Sequence, residues 1–98
     1  MANMLKLSKA FSDRNRVKIL NMLTTGPQNV SSVADKLNVE ENLASHHLRV
    51  LYSLGLLKST KKGRQVFYDL NKGKLVVLIK DLKQNDFFRE VLLEAMEE

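Results

Sequence analysis

Three observations predict a mainly α-helical chain with one small β-hairpin, an α+β arrangement in the order α-α-α-α-β-β-α(α). Apolar residues recur at helical spacing in successive segments between residues 4 and 54. The period shortens to that of strands over residues 56–70, where Gly63-Arg64 separates two β-prone runs. Helical spacing returns after Asn71. Two helices meeting across a short turn, followed by a two-stranded hairpin, make a winged helix-turn-helix. The chain has 98 residues, room for a single domain, 1–98, and no second core.

Met4, Leu5, Leu7, Ala10 and Phe11 predict a short opening helix. Ser12 is placed to cap the next helix, whose apolar face is Val17, Ile19, Leu20 and Leu23. Gly26-Pro27 ends it, since Gly takes a left-handed cap and Pro cannot continue a helix. Val30, Val33, Ala34 and Leu37 line one face of a short third helix, with Asn29 or Ser31 as cap and Asn38 as stop. A fourth helix runs from near Glu40 to about Leu54, and Gly55 follows as a helix terminator should. Leu56 to Lys62 and Gln65 to Leu70 are the hairpin strands. The tail carries two apolar sets: Leu75, Leu78, Ile79, Leu82, then Phe87, Phe88, Val91, Leu92, Ala95. From Leu82 to Phe88 a straight helix turns roughly 240° beyond whole turns, so the sets are out of phase. A break is expected near Asn85-Asp86, with Asp86 capping the last helix.

Charge is unevenly placed. The net charge is +5. Arg49, Lys58, Lys61, Lys62 and Arg64 fall between Asn42 and Gln65, a stretch without an acid. Asp86, Glu90, Glu94, Glu97 and Glu98 dominate the tail, with Arg89 as its cation. The middle of the chain suits a polyanion and the tail does not. Few large aromatic residues and a small core favour oligomerisation. Cysteine is absent, which excludes disulfides, thiol catalysis and thiolate metal ligands. The longest apolar run, 75–79, is too short to cross a bilayer, so no membrane partner is expected. The N-terminus lacks a secretory pattern, and a cytoplasmic location is expected.

Residues 41–54 hold the candidate recognition helix. At about 100° per residue, Ala44, His47, Leu48 and Leu51 share a face that should pack on the domain. Asn42, Ser45, His46 and Arg49 share the opposite face, with side chains able to donate to or accept from base edges. Glu41 either accepts from a cytosine amino group or suits the helix dipole. Lys61, Lys62, Arg64 and Gln65 flank the tight turn of the wing, residues 56–70, and Arg14 and Arg16 open the second helix. These six are the candidate backbone contacts. Adjacent His46 and His47 point about 100° apart and make a poor chelating pair, so no metal is expected. His47 reads as a half-buried packing or hydrogen-bonding residue. No glycine-rich phosphate loop or Ser-His-acid set is legible, so neither an enzyme nor a cofactor is expected.

The run Ser45-His46-His47-Leu48-Arg49-Val50-Leu51, then Leu54-Gly55-Leu56-Leu57, then Lys62-Gly63-Arg64-Gln65-Val66-Phe67-Tyr68-Asp69-Leu70, resembles the ArsR/SmtB family of bacterial repressors. Phe11-Ser12-Asp13-Arg14-Asn15-Arg16-Val17-Lys18-Ile19-Leu20 matches that family's usual entry to the second helix. The resemblance implies a homodimeric repressor on an imperfect palindromic operator of double-stranded DNA. It also implies dimerisation through the first and last helices, here Met4, Leu5, Leu75, Leu78, Ile79, Leu82, Phe87, Phe88, Val91 and Leu92. The chain departs from the family where members sense their signals. Asn29 and Ser31 stand where some carry cysteines, and Lys72, Lys74, Asn85 and Phe88 where others carry Asp, His, His and Glu. The family's usual sensor sites are therefore missing, and any small-molecule effector is unknown. The alternative reading is a winged-helix module that binds an acidic protein partner. A third is non-specific DNA architecture.

Overall fold

The computed structural model describes residues 2–96, apart from the side chains at positions 2–4, 7, 92 and 96. Capping chemistry sets most of its element boundaries. Helix α1 (Ala2–Phe11) ends where Ser12 Oγ donates to the Lys9 carbonyl at 2.9 Å. Ser12 is thus spent on α1, and Asp13 caps α2 (Arg14–Met22) instead. Its Oδ1 accepts from the backbone N–H of Asn15 at 2.8 Å and of Arg16 at 3.3 Å. Asp13 has the extended backbone of a cap, one residue later than the sequence suggests. A single 3₁₀ turn, Leu23–Thr25, continues α2 to Gly26. Gly26 sits at φ +140°, ψ 177°, an extended mirror-image conformation open to glycine rather than the expected left-handed helical cap.

Strand β1 (Gln28–Asn29) follows, and the sequence gives no sign of it. It pairs antiparallel with a later strand, Gln28 opposite Tyr68 and Asn29 opposite Phe67. Two polar residues show no alternation, so only the distant partner makes them a strand. Asn29, not Ser31, caps α3 (Val30–Leu37), its Oδ1 accepting from Ser32 N–H at 2.8 Å. Helix α4 (Glu41–Ser53) comes after a short turn. Both helices stop by the same device. Val39 N–H reaches the Ala34 carbonyl and Asn38 N–H the Asp35 carbonyl, with Asn38 left-handed at φ 56°. Leu56 N–H reaches Leu51 and Gly55 N–H reaches Tyr52, with Gly55 at φ +84°. These are paired Schellman closures, which fix where each helix ends and how the chain leaves it.

Strands β2 (Leu57–Lys62) and β3 (Gln65–Leu70) form the hairpin, with Lys62 opposite Gln65. Gly63 takes φ +63° at the first turn position. The sheet has three strands in the order β1-β3-β2. Asn71 caps α5 (Lys72–Lys83) through Lys74 N–H at 3.2 Å. The expected break is present, and α6 (Asp86–Met96) starts after it. Asn85 rather than Asp86 supplies the cap, its Oδ1 accepting from Phe88 N–H at 3.2 Å. Asp86 lies one residue inside the helix and pairs with Arg89 at 3.3 Å.

The core sits where α2, α3, α4 and the start of β2 converge. Ile19, Leu23, Val33, Leu48, Leu51, Leu56 and Leu78 are wholly buried. Leu78 brings α5 into this core, with Leu75 and Leu82 packed beside it. Leu78, wholly buried, therefore leaves the expected dimer surface, while Leu75 and Leu82 are half-buried at its edge. Spacing of three and four places all three on the inward stripe of α5 and turns Val76, Val77 and Ile79 outward. The molecule extends 45 × 23 × 23 Å. Its radius of gyration, 14.6 Å, exceeds the ~13 Å of a compact domain of this size. Leu78→Ala is expected to cost about 2–5 kcal/mol, read as a lower urea midpoint at unchanged slope. Ile79→Ala should leave the unfolding of isolated monomer almost unmoved.

Candidate nucleic-acid interface

Helix α4 is divided lengthwise. Ala44, His47, Leu48 and Leu51 are buried, as the sequence reading requires. Glu41, Asn42, His46 and Arg49 are exposed, and Ser45 is half-buried beside them. The expected base-reading residues therefore share one open side of one helix. Glu40 precedes α4 with extended backbone and makes no side-chain cap bond. Unlike α2 and α3, α4 thus leaves first-turn N–H groups uncapped by a side chain at the end where Glu41 and Asn42 stand. That feature follows from geometry and has no clear sequence signal.

The wing comes close to this end of α4. Arg64, Gln65 and Val66 line a groove of about 370 Å³ together with Glu41, Asn29, Val30 and Ser31. Asn29 Nδ2 donates to Gln65 Oε1 at 3.0 Å, tying the wing to the start of α3. Strand β1 makes the same connection through its backbone. Lys61, Lys62 and Arg64 are exposed, and Lys62 Nζ lies 5.6 Å above the Phe67 ring. Arg14 is exposed in the first turn of α2.

Arg16 is placed differently from the expectation. Its Nε and Nη2 donate to the Lys9 carbonyl at 3.2 and 3.1 Å, and Nη2 also donates to Ser12 Oγ at 3.2 Å. Its Nη1 donates to His47 Nδ1 at 3.3 Å. Four of the five N–H groups of the guanidinium are thereby engaged by partners within the chain. Arg16 is removed from the backbone-contact set for that reason. It binds the end of α1 to α4 across the start of α2.

His47 is 5% exposed on the otherwise apolar face of α4. A guanidinium only donates, so Nδ1 must accept and the ring proton belongs on Nε2. Nε2 faces Asp13 Oδ1 at 3.8 Å, within ion-pair range and beyond a hydrogen bond. Burial pushes the His47 pKa below its ordinary value of 6.5; Asp13 opposes this, while Arg16 and His46 add to it. Desolvation tends to raise the Asp13 pKa. The N–H groups of Asn15 and Arg16 and the charges of His47 and Arg16 outweigh it and hold the carboxyl below 3.8. The Asp13–Arg16–His47 cluster escapes sequence reading. Its signal was a lone histidine on an apolar helical face, which must find polar partners once buried.

The residues expected at the dimer surface differ in exposure. Leu5 and Phe87 are 68% and 66% exposed, and Ile79 and Val91 are also open. Phe88 is half-buried. The side chains of Met4 and Leu92 lie outside the described residues. Phe11, Val76, Val77 and Leu93 are exposed apolar residues that the sequence reading did not include. No three His, Cys, Asp or Glu side chains gather into a metal-holding group among the described residues. None of the described helices is long and apolar enough to cross a membrane.

The family model described as bacterial regulatory protein, arsR family, matches residues 13–59. The transcriptional repressor SdpR of Bacillus subtilis is 35% identical over 63 residues, covering 64% of this chain and 70% of SdpR. Two other curated regulators match over about half of their own length, 52% and 55%. Among solved structures, an ArsR-like transcriptional regulator from Rhodococcus superposes with a TM-score of 0.77 at 29% identity, covering 98% of this chain and 88% of that one. A homodimeric winged helix-turn-helix DNA-binding domain from Mycobacterium bovis shares the fold, with a TM-score of 0.70 at 23% identity, over 98% of this chain and 81% of that one.

Both depressed pKa values make acid destabilising, in two windows. A histidine with a lowered folded pKa binds fewer protons folded than unfolded. Its contribution is complete above pH 6.5 and is lost as pH falls from there toward the folded pKa. The contribution of Asp13 is complete above pH 3.8 and is lost below it, as pH falls through its folded pKa. Urea midpoints should therefore begin to fall just below pH 6.5. His47→Asn, which cannot titrate, should flatten that first decline and keep the second. A first decline of the same size in the variant would place its origin elsewhere.

Proposed function

The chain belongs to the arsR family of bacterial regulatory proteins and is a DNA-binding transcription regulator, not an enzyme, and from this we propose that it acts as a homodimeric, sequence-specific repressor. The observation that carries the reading is a single surface on which the open side of α4 adjoins the cationic wing. In this reading Asn42, Ser45, His46 and Arg49, with Glu41 at the helix start, contact base edges in a major groove. Lys61, Lys62, Arg64 and Arg14 hold phosphates, and Gln65 is positioned for the same backbone by its bond to Asn29. Residues 1–98 act as one winged helix-turn-helix domain. Repression rather than activation follows the name that SdpR carries.

The dimer is supported by two surfaces that match. On α5, Leu75, Val76 and Ile79 lie in a groove flanked by Lys72, Lys80 and Lys83. On α6, Phe87 and Val91 share a face with Glu90 and Glu94 at helical spacing. An acid-flanked apolar stripe suits a lysine-flanked apolar groove on a second copy. Two copies would present two α4 helices to an imperfect palindrome, with half-sites about 10 base pairs apart, centre to centre.

The experiment is selection of duplexes from random-sequence DNA, followed by salt titration of the best one. An inverted repeat is the expected product. Asymmetric sites would overturn the dimer on DNA. No enrichment would overturn sequence-specific binding and favour an acidic protein partner. Arg64→Ala should weaken selected and random duplexes alike and reduce the salt slope by about one. Changing Ser45 or His46 should alter which sequences are recovered. Phe87→Glu should shift sedimentation from twice the chain mass to the chain mass, with the helical circular dichroism kept.

A further inference from the structure

The junction of α1, α2 and α4 holds a polar cluster that neither DNA contact nor dimerisation uses. Arg16 spans three elements from one guanidinium: the Lys9 carbonyl on α1, Ser12 Oγ in the link, and His47 Nδ1 on α4. Asp13, which caps α2, stands on the other side of the imidazole at 3.8 Å. His46, next along α4, lies against the same ring, centroids 5.7 Å apart. These are the charged or titratable groups acting on His47: Asp13 and Arg16 from the α2 side, and His46 from its own helix. His47 shares the buried face of α4 with the apolar Ala44, Leu48 and Leu51.

We propose that Asp13, Arg16 and His47 form a proton-sensitive seat that fixes the orientation of α4 for DNA, with the neutral Nε2–H tautomer of His47 as the seated form. The inference rests on the reading of α4 as the recognition helix. Its logic is that of donors and acceptors. In the seated form Nδ1 accepts from Arg16 and Nε2–H faces the Asp13 carboxylate. Protonation converts Nδ1 into a second donor aimed at a guanidinium that can only donate. The hydrogen bond is lost and two cations face each other on the buried side of α4. Asp13 attracts the imidazolium, but at its one nitrogen, and cannot restore the bond at the other. Arg16 or α4 must then move, and the exposed side of α4 moves with it. His47 and Arg16 are positioning residues here, since neither touches DNA.

Acid also changes the general electrostatic attraction of the protein to every duplex, preferred or random. Protonation of His47 loosens binding to the preferred sequence. The informative quantity is therefore the ratio of dissociation constants for two probes. One is the duplex recovered by selection with the wild-type protein at about pH 8; the other is a random-sequence duplex of equal length.

For the wild type, discrimination should hold from about pH 8 down to pH 6.5 and fall below it, by up to tenfold per pH unit where the seat titrates. His47→Asn keeps an acceptor near the Nδ1 position and cannot titrate, so its discrimination should decline less steeply across that range than that of the wild type. Arg16→Lys keeps the charge but not the fork, and should cut discrimination by about tenfold at unchanged salt slope. A profile in His47→Asn as steep as that of the wild type would overturn the proposal. So would a salt slope reduced by about one in Arg16→Lys, which would return Arg16 to the phosphate contacts. Should either variant fail to fold, long-range ¹H–¹⁵N spectra of the wild type decide the matter. The His47 ring must show a bare Nδ1 and a protonated Nε2 near pH 7.5, and the opposite tautomer overturns the seat. Failure to select any duplex would count against α4 as the recognition helix, and the tautomer spectrum would still test the cluster itself.

Discussion

The packing of α4 on the rest of the domain is the constraint from which the other features follow. A helix presents groups outward in fixed register only if its other side is held. Here Ala44, Leu48 and Leu51 are wholly buried against α2, α3 and the start of β2. Burial on that side leaves Asn42, His46 and Arg49 open together on the other. Both ends of the helix-turn-helix then have to be defined sharply. The Schellman closures at Asn38 and Gly55 do this, because each fixes the last carbonyls and the exit direction of its helix. A φ of +84° is what calls for glycine at Gly55; a Cβ there would approach the Lys74 side chain at 3.2 Å, which a flexible lysine can relieve.

The wing is fixed to the same framework, not hung from it. A two-stranded hairpin alone is marginal in water. Strand β1 adds a third strand next to β3, and Asn29 serves three purposes at once. Its backbone pairs with Phe67, its Oδ1 caps α3, and its Nδ2 holds Gln65 beside the wing turn. The wing turn is thereby tied to the start of α3, and it shares a groove with Glu41 at the start of α4.

Much of this was legible in the sequence because it depends on local chemistry. The period-2 stretch between helical stretches, the glycine at the hairpin turn and the glycine after α4 each specify their own conformation. The α4 face was legible for the same reason: one helix, one period, one apolar stripe. Misplaced features involve competition or distance. Ser12 and Asp13 are both good caps, and only the bond from Ser12 to Lys9 decides between them. Asp86 and Asn85 compete in the same way. Leu78 reads as one more apolar residue in the tail. Which of α5's two apolar stripes faces the core depends on how α5 docks, and no local pattern states that. Strand β1 needs a partner about forty residues away, and its two residues carry no sign of it.

Arg16 shows why a cation beside a basic surface is weak evidence of contact with an anion. Sequence places it in the first turn of α2, one residue pattern away from the exposed Arg14, and charge alone treats the two alike. Their difference lies in geometry. Arg14 begins the helix and faces out, whereas Arg16 is two residues on, about 200° round the axis. There it meets the end of α1 and the one polar side chain on the buried face of α4. A buried imidazole without an acceptor's partner would cost more than its packing returns. Arg16 supplies that partner, and Asp13 balances the charge so introduced. One of the chain's sixteen cations is thus committed to joining α1, the link after it and α4.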